Sequence, residues 1–243
     1  MDVDQELEIL RYSEIEIKGE FLWGSNYTFL ANLCYGGVNL PAVYKPSKGE
    51  RPLWDFPSES LAHREVAAFI LSQALKWNFV PATAYRDNAP LGPGSLQLFI
   101  EHDPEYHYFN FTIDDRQRLR PVVAFDLLIN NADRKGSHLI IDRDKRLWLI
   151  DHGLCFHKED KLRTVLWDFV GEPVPKSIRE SFSKLHDTLE EQKRDNSGLY
   201  KELIAHIDVM EIKALLLRAD SLVTSGVFPS PDPLRRPFPW PQI

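Results

Sequence analysis

The segment 125–141, FDLLINNADRKGSHLII, and the segment 147–157, LWLIDHGLCFH, are each an apolar run that opens into a charged corner. The first run has the apolar content of a buried helix. It begins just after Pro121, whose missing N–H costs nothing in a first helical turn. It ends in one turn holding Asn130, Asn131, Asp133, Arg134, Lys135 and His138. Two short strands are expected next, near 138–142 and 147–151, joined by the polar DRDK. The second strand runs into Asp151, His152 and Gly153. Because a hairpin turns the chain back on itself, Asp133 and Asp151 can face one ligand from adjacent loops. Either aspartate alone would read as a turn or cap residue, since Asp favours such positions. Asp126, among apolar neighbours, suits a buried hydrogen-bonding role; Asn131 suits a cap on the preceding helix, and Arg134 a pairing with an acidic neighbour.

Upstream, residues 13–46 alternate β-branched and aromatic residues with Gly and Asn, which predicts three antiparallel strands with Gly36-Gly37 as a hairpin turn. A turn-rich loop, 47–60, leads to a helix from near Ser60 to about Lys76, with Val66, Phe69, Ile70 and Ala74 at helical spacing and Ser58 or Ser60 as its cap. Segments 80–87 and 94–100 read as two further strands. Downstream, helices are expected near 175–191, 197–206 and 208–224. The last stretch, 227–243, holds six of the 17 prolines and should be extended, wrapped on the surface or mobile. Trp54 and Trp77 are expected in the core or between lobes. The predicted layout is an α+β fold of two lobes: a β-rich N-lobe (1–101) with one helix, a mostly helical C-lobe (102–226), and a Pro-rich tail (227–243).

With 243 residues, 43% hydrophobic and 27% charged, the chain can bury a sizeable core. A net charge of −7 opposes general nucleic-acid binding, which needs a basic face. The two cysteines, Cys34 and Cys155, are expected as free thiols of a cytoplasmic protein. The acidic start MDVDQELEIL lacks the basic region of a secretory signal, and no apolar run approaches the roughly 20 residues that span a bilayer.

Asp133-x-Lys135-x-x-His138 resembles the catalytic loop of protein kinases, Asp-x-Lys-x-x-Asn, and Asp151-His152-Gly153 stands where their metal-binding Asp-Phe-Gly would be. The closer resemblance is to the phosphatidylinositol 3-/4-kinase superfamily, especially the type II 4-kinases, whose segments read like NTDRGNDN and IDNGLAF against NADRKGSH and IDHGLCF here. The chain also looks like a member of a bacterial family related to these kinases, and toxin kinases of the HipA type share the arrangement. The likeness spans roughly residues 20–170.

The resemblance implies a protein-kinase-like fold binding ATP with Mg²⁺ or Mn²⁺ between the lobes. By it, Asp133 orients the acceptor hydroxyl, Lys135 stabilises the transferred group, and Asp151 holds the principal metal ion. His138, where Asn is usual, becomes a metal ligand or a hydrogen-bonding substitute; an imidazole would favour Mn²⁺ over Mg²⁺. Lys45 in AVYKPS is implied as the contact to the α- and β-phosphates and Glu65 in HREVAAFIL as its partner. GSNYTFLAN, with Ser25 and Asn26, is implied as the turn over the phosphates, and Gln97, Leu98 and Phe99 as the backbone edge beside adenine. The implied activity is phosphoryl transfer to an unidentified acceptor, protein or small molecule rather than lipid, because no polybasic or basic amphipathic segment is present. A nucleotide-binding pseudokinase and a nucleotidyl transferase are compatible with the same motifs. His138, His152 and His157 beside Asp151 also allow a metal-dependent hydrolase, although no His-x-x-x-His pair occurs. Cys155 with His157 allows a thiol nucleophile, and Lys161 and Arg163 allow an anion contact.

Overall fold

The computed structural model describes residues 1–21 and 27–243. Its first half is a five-stranded antiparallel sheet of order β1-β2-β3-β5-β4, built from β1 (Glu14–Glu20), β2 (Phe29–Tyr35), β3 (Val38–Pro46), β4 (Thr83–Arg86) and β5 (Gly94–Leu98). Gly36 and Gly37 turn β2 into β3 with φ of 57° and 81°, a conformation that a Cβ disfavours. Helix α1 (Val3–Tyr12) packs on β4, β2 and β5. It was not anticipated from sequence, although its signals are present. Asp2 accepts from Gln5 N–H while the Gln5 side chain accepts from Asp2 N–H, and Val3, Leu7 and Leu10 then fall on one face. Arg86 holds the end of this helix by donating to the carbonyls of Leu10 (3.1 Å) and Ser13 (3.2 Å).

Helix α2 (Leu61–Ala74) lies close to the predicted span. Its capping differs from the serine expectation. The Ser60 hydroxyl donates to Pro57 O, and the Glu50 carboxylate instead accepts from Leu61 N–H (3.2 Å) and Ala62 N–H (3.0 Å). A carboxylate there also meets the positive end of the helix dipole. Trp54 is 89% exposed, on a loop with no element over it, whereas Trp77 packs among Phe79, Phe125 and Phe182.

The second half holds α3 (Ile113–Gln117), α4 (Arg120–Ile129), the hairpin β6 (Leu139–Ile141) with β7 (Leu147–Leu149), α5 (Lys176–Lys193), α6 (Gly198–Ile204) and α7 (Val209–Ser225). Pro121 sits in the first turn of α4, and α4 stops where Asn130 turns left-handed (φ 54°, ψ 55°), a conformation Asn tolerates better than most side chains. One continuous apolar core runs from Leu10, Leu33 and Leu71 through Phe125 and Phe156 to Phe182 and Leu215. The proline-rich tail wraps the surface: Phe228 is buried, Pro237 O accepts from Thr164 N–H (3.0 Å), and Gln242 O from Gly136 N–H (2.8 Å). No helix of the described residues is long and apolar enough to cross a membrane.

Gly94 is where β5 presses on β3 beside Lys45. A Cβ there would lie 2.3 Å from Lys45 O and 2.7 Å from Pro46 Cα, both backbone atoms that cannot step aside. Gly94→Ala is therefore expected to cost about 3 kcal/mol, the upper end of overpacking penalties. Urea unfolding should show the midpoint fall with an unchanged slope.

Candidate active site

The site is assembled around a buried guanidinium. Arg134 is fully buried, and Asp126 on α4 receives its Nε (2.9 Å to Oδ2) and Nη2 (2.9 Å to Oδ1). Nη1 donates to Ile150 O (2.9 Å), and Nη2 faces His152 Nε2 (2.9 Å). Asn131 adds two bonds: its amide donates to Asp126 Oδ1 (3.1 Å) and its carbonyl oxygen accepts from Asp133 N–H (3.0 Å). The two polar corners are thus one hydrogen-bonded body, with the aspartates at its cleft side.

Across the cleft, Lys45 from β3 reaches Glu65 on α2 and Asp151 (2.9 Å) with the same ammonium. Glu65 is nearly sealed from solvent, 3% exposed at its side chain, while Asp151 is 46% exposed. The second Glu65 oxygen accepts from His152 N–H (2.9 Å), so this carboxylate joins the β-rich half to the Asp151 turn. Asp151 itself adopts φ of 61°, an unusual backbone for a non-glycine residue and a frequent mark of functional turns. Asp133 lies opposite with Lys135 Nζ 3.4 Å from its Oδ2.

Charge follows this geometry. Burial alone would lower the Lys45 pKa, but Asp151 and Glu65 outweigh it and hold the ammonium protonated. Burial likewise opposes ionisation of Asp151, yet Lys45 and His138 keep its carboxylate well below the usual range. For Asp133 burial prevails, with Lys135 opposing and Asp151 adding to it, and the pKa rises to about 6. His138 is pushed down to about 3 by burial, so its ring is neutral. Its Nε2 lies 3.2 Å from Asp151 Oδ2, and its Nδ1 accepts from Lys135 N–H (3.4 Å). A carboxylate oxygen lies near Nε2 and a donor faces Nδ1, which places the single ring hydrogen on Nε2, on the Asp151 side.

These groups line a cavity of about 460 Å³ whose walls include Val43, Leu61, Leu98, Ile140, Ile150 and Leu154. Phe21, together with Tyr27 and Thr28 of the implied phosphate turn, also lines it; Ser25 and Asn26 lie outside the described residues. Gln97, Leu98 and Phe99, expected to present backbone groups to adenine, form part of the wall, with the N–H groups of Leu98 and Phe99 engaged within the protein. Leu98 N–H binds Ala82 O (2.9 Å), Phe99 N–H binds Pro41 O (3.0 Å), and the Gln97 amide donates to Thr83 Oγ1 (2.9 Å). The physical reason is that β5 is interior to the sheet and uses both its edges.

Other residues singled out in the sequence fall elsewhere. Lys161 is held by Asp55 (3.2 Å) and Glu159 (3.7 Å) and sits over the Trp54 ring. Arg163 is pinned by its backbone, Arg163 N–H to Asn131 O (2.9 Å) and Arg134 N–H to Arg163 O (3.0 Å). Cys155 is buried with its thiol pushed up by burial, and His157 is engaged with Asp55 O and the Glu159 backbone, so the pair makes no thiol nucleophile. Among the described residues no group of three or more His, Cys, Asp or Glu side chains gathers as a metal cage, and His152 and His157 are each engaged with protein groups. Sequence reasoning placed Asn130 in the first corner but gave it no role. Its amide donates to His157 O (2.8 Å) and Glu159 O (2.7 Å), and its oxygen accepts from Lys161 N–H (2.9 Å), so it anchors the segment after the second corner. The available signal was an Asn pair at a helix end.

Comparison with known proteins bears on the family and the fold. Protein Rv2133c of Mycobacterium tuberculosis is 38% identical over 273 aligned positions, covering 98% of this chain and 95% of that protein. Solved structures similar in fold include the following two. One is hydra Fam20 with sugar, 15% identical, with a TM-score of 0.57 over 93% of this chain and 88% of that one. The other is the Helicobacter pylori proinflammatory kinase CtkA, 12% identical, with a TM-score of 0.54 over 90% and 94%. At such identities they speak for the fold alone, which is protein-kinase-like, with a β-rich N-lobe and a mostly helical C-lobe. The model of the phosphatidylinositol 3- and 4-kinase family matches residues 57–207, a span that contains α2 and both polar corners. By that match the chain belongs to the phosphatidylinositol 3- and 4-kinase family.

Proposed function

We propose that this protein is an ATP-dependent phosphotransferase that passes the γ-phosphate to a hydroxyl acceptor. The observation that carries the reading is the three-way contact of Lys45 with Glu65 and Asp151, set across one cleft from Asp133. The cleft suits a nucleotide, having apolar walls and a strongly charged end, with a volume inside the usual range of ligand pockets. Its metal-binding capacity is that of Mg²⁺, which takes one or two carboxylates and completes its shell with phosphate oxygens and water. Asp151, its carboxylate held ionised beside Lys45, fits that role.

ATP would supply the phosphoryl group, and a divalent cation would neutralise charge on it as it transfers. Lys45, oriented by Glu65, binds the α- and β-phosphate oxygens. Asp133 takes the acceptor's hydroxyl proton, and Lys135, 3.4 Å away, stabilises charge on the moving group. His138 acts as a hydrogen-bond donor that orients Asp151, replacing the usual Asn in a supporting role. The acceptor we favour is a protein or a small metabolite, because a net charge of −7 opposes docking on an anionic membrane.

Calorimetry of ATP binding tests the cleft. Wild type should bind with Mg²⁺ and Mn²⁺ about equally, and Asp151→Asn should weaken metal-dependent binding at least tenfold, a loss of about 1.4 kcal/mol. No binding with either cation would refute the proposal. A Mn²⁺ preference that vanishes in His138→Asn would make the imidazole a metal ligand instead of a donor.

Asp133→Asn should leave ATP affinity within a few fold while turnover falls by about 10²–10⁴. Mass analysis of the product separates a phosphate adduct from an AMP adduct, and function that persists in this variant would point to a pseudokinase. Asp133 must be ionised to accept a proton, and its pKa is raised, so kcat/KM should climb with pH along a limb at or below about 6. A bound cation can only move that limb lower.

A further inference from the structure

Successive residues of α2, His63, Arg64 and Glu65, each reach the C-lobe. His63 Nδ1 meets His206 Nδ1, just past the end of α6, at 3.0 Å, with the His63 ring stacked 4.0 Å from that of Tyr85. Glu65 holds Lys45 and the His152 N–H. Between them Arg64, 2% exposed, makes the strongest link. Its Nη1 donates to Cys155 O (2.6 Å), its Nη2 to Glu211 Oε1 (2.6 Å), and its guanidinium lies 4.9 Å from the Phe56 ring centroid. Glu211 is itself fixed in the first turn of α7, where its Oε2 accepts from Asp208 N–H (3.0 Å) and its own N–H donates to Asp208 Oδ1 (2.8 Å).

Adjacent residues on a helix point about 100° apart, so a rigid helix can present Glu65 to the cleft and Arg64 to α7 at once. Sliding or rotating α2 to release Glu65 from Lys45 would pull Arg64 off Glu211 and leave two charges buried without partners, a heavily penalised state. We propose that Arg64 and Glu211 are positioning residues: they clamp α2 to the C-lobe so that the Lys45–Glu65–Asp151 contact is assembled before any ligand arrives. The tight approach at the Asp151 turn fits this, since a Cβ on Gly153 would stand 3.3 Å from Leu61 Cβ, leaving little play between α2 and that turn. The proposal rests on the kinase reading only for the purpose of Lys45. The mechanical link stands on the contacts themselves.

Acylation of Lys45 in ligand-free protein, followed by peptide mass spectrometry with a small amine-reactive ester, reads the clamp directly. An ammonium gripped by two carboxylates is a poor nucleophile, and releasing Glu65 frees it. Arg64→Met and Glu211→Met should each raise the Lys45 acylation rate at least tenfold. The double variant should do no more than either single, because the two act as a unit. Leu189→Ala, in the core of α5, serves as a control of matched stability loss and should leave the rate at the wild-type value. If the methionine variants fail to fold, Glu211→Gln keeps the shape and removes the charge, and it should show the same increase in smaller measure. Lys45 reactivity unchanged in folded variants, or raised equally by Leu189→Ala, would overturn the assignment and leave the pair as ordinary stabilisation. ATP affinity measured alongside separates the two readings. If wild type binds no nucleotide while Lys45 still responds to Arg64, the clamp stands and the kinase proposal falls. If nucleotide binds and Lys45 does not respond, the reverse holds.

Discussion

The burial of the Arg134 guanidinium is the constraint on which the site depends. A charge taken wholly out of water must be surrounded by acceptors. Here those acceptors come from the end of α4 (Asp126), the end of the second hairpin strand (Ile150 O) and the turn after it (His152). Satisfying one side chain therefore determines how the loop after α4 sits against the loop after β7. Asp133 and Asp151 are carried on those loops, and their separation across the cleft is a consequence of where Arg134 finds its partners.

A second buried carboxylate does the same between the lobes. Glu65 has an oxygen for Lys45 and an oxygen for the His152 amide, so the sheet, α2 and the Asp151 turn meet at one residue. The resulting electrostatics are polarised along the cleft. Lys45 keeps Asp151 ionised against its burial, while at Asp133, away from that ammonium, burial prevails and the proton is held more strongly. Two aspartates of the same intrinsic acidity are thereby separated into one suited to a cation and one suited to proton transfer, as expected of groups whose surroundings push their pKa values apart. His138 belongs to this scheme as a neutral donor, because burial denies it the proton that would make it a cation.

The tail closes the same region from outside. Its carbonyls accept the N–H groups of Gly136 and Thr164, which border the catalytic loop and the segment beside it. A proline-rich segment can do this cheaply: it is stiff before it docks, so ordering it loses little entropy, and its carbonyls remain free to accept.

Much of the fold was legible in the sequence, because it rests on local rules. The strand periodicity of 13–46, the glycine pair, Pro121 at the start of α4 and the spacing of the later helices all report preferences of neighbouring residues. The motif residues Lys45, Glu65, Asp133, Lys135 and Asp151 were also legible by resemblance and order along the chain; the structure sets Lys45, Glu65, Asp133 and Asp151 on the wall of one cleft and Lys135 beside Asp133. What the sequence could not determine is which polar groups satisfy one another at long range. It offered Ser60 as a helix cap where Glu50 serves, and a metal-ligand or hydrogen-bonding role for His138 without showing the groups that face its two ring nitrogens. It gave no hint that Arg64 and Glu211, 147 positions apart, share a bond. Periodicity and capping are encoded within a few residues, whereas the partner of a buried charge is decided only when distant segments are brought together and water is excluded from between them.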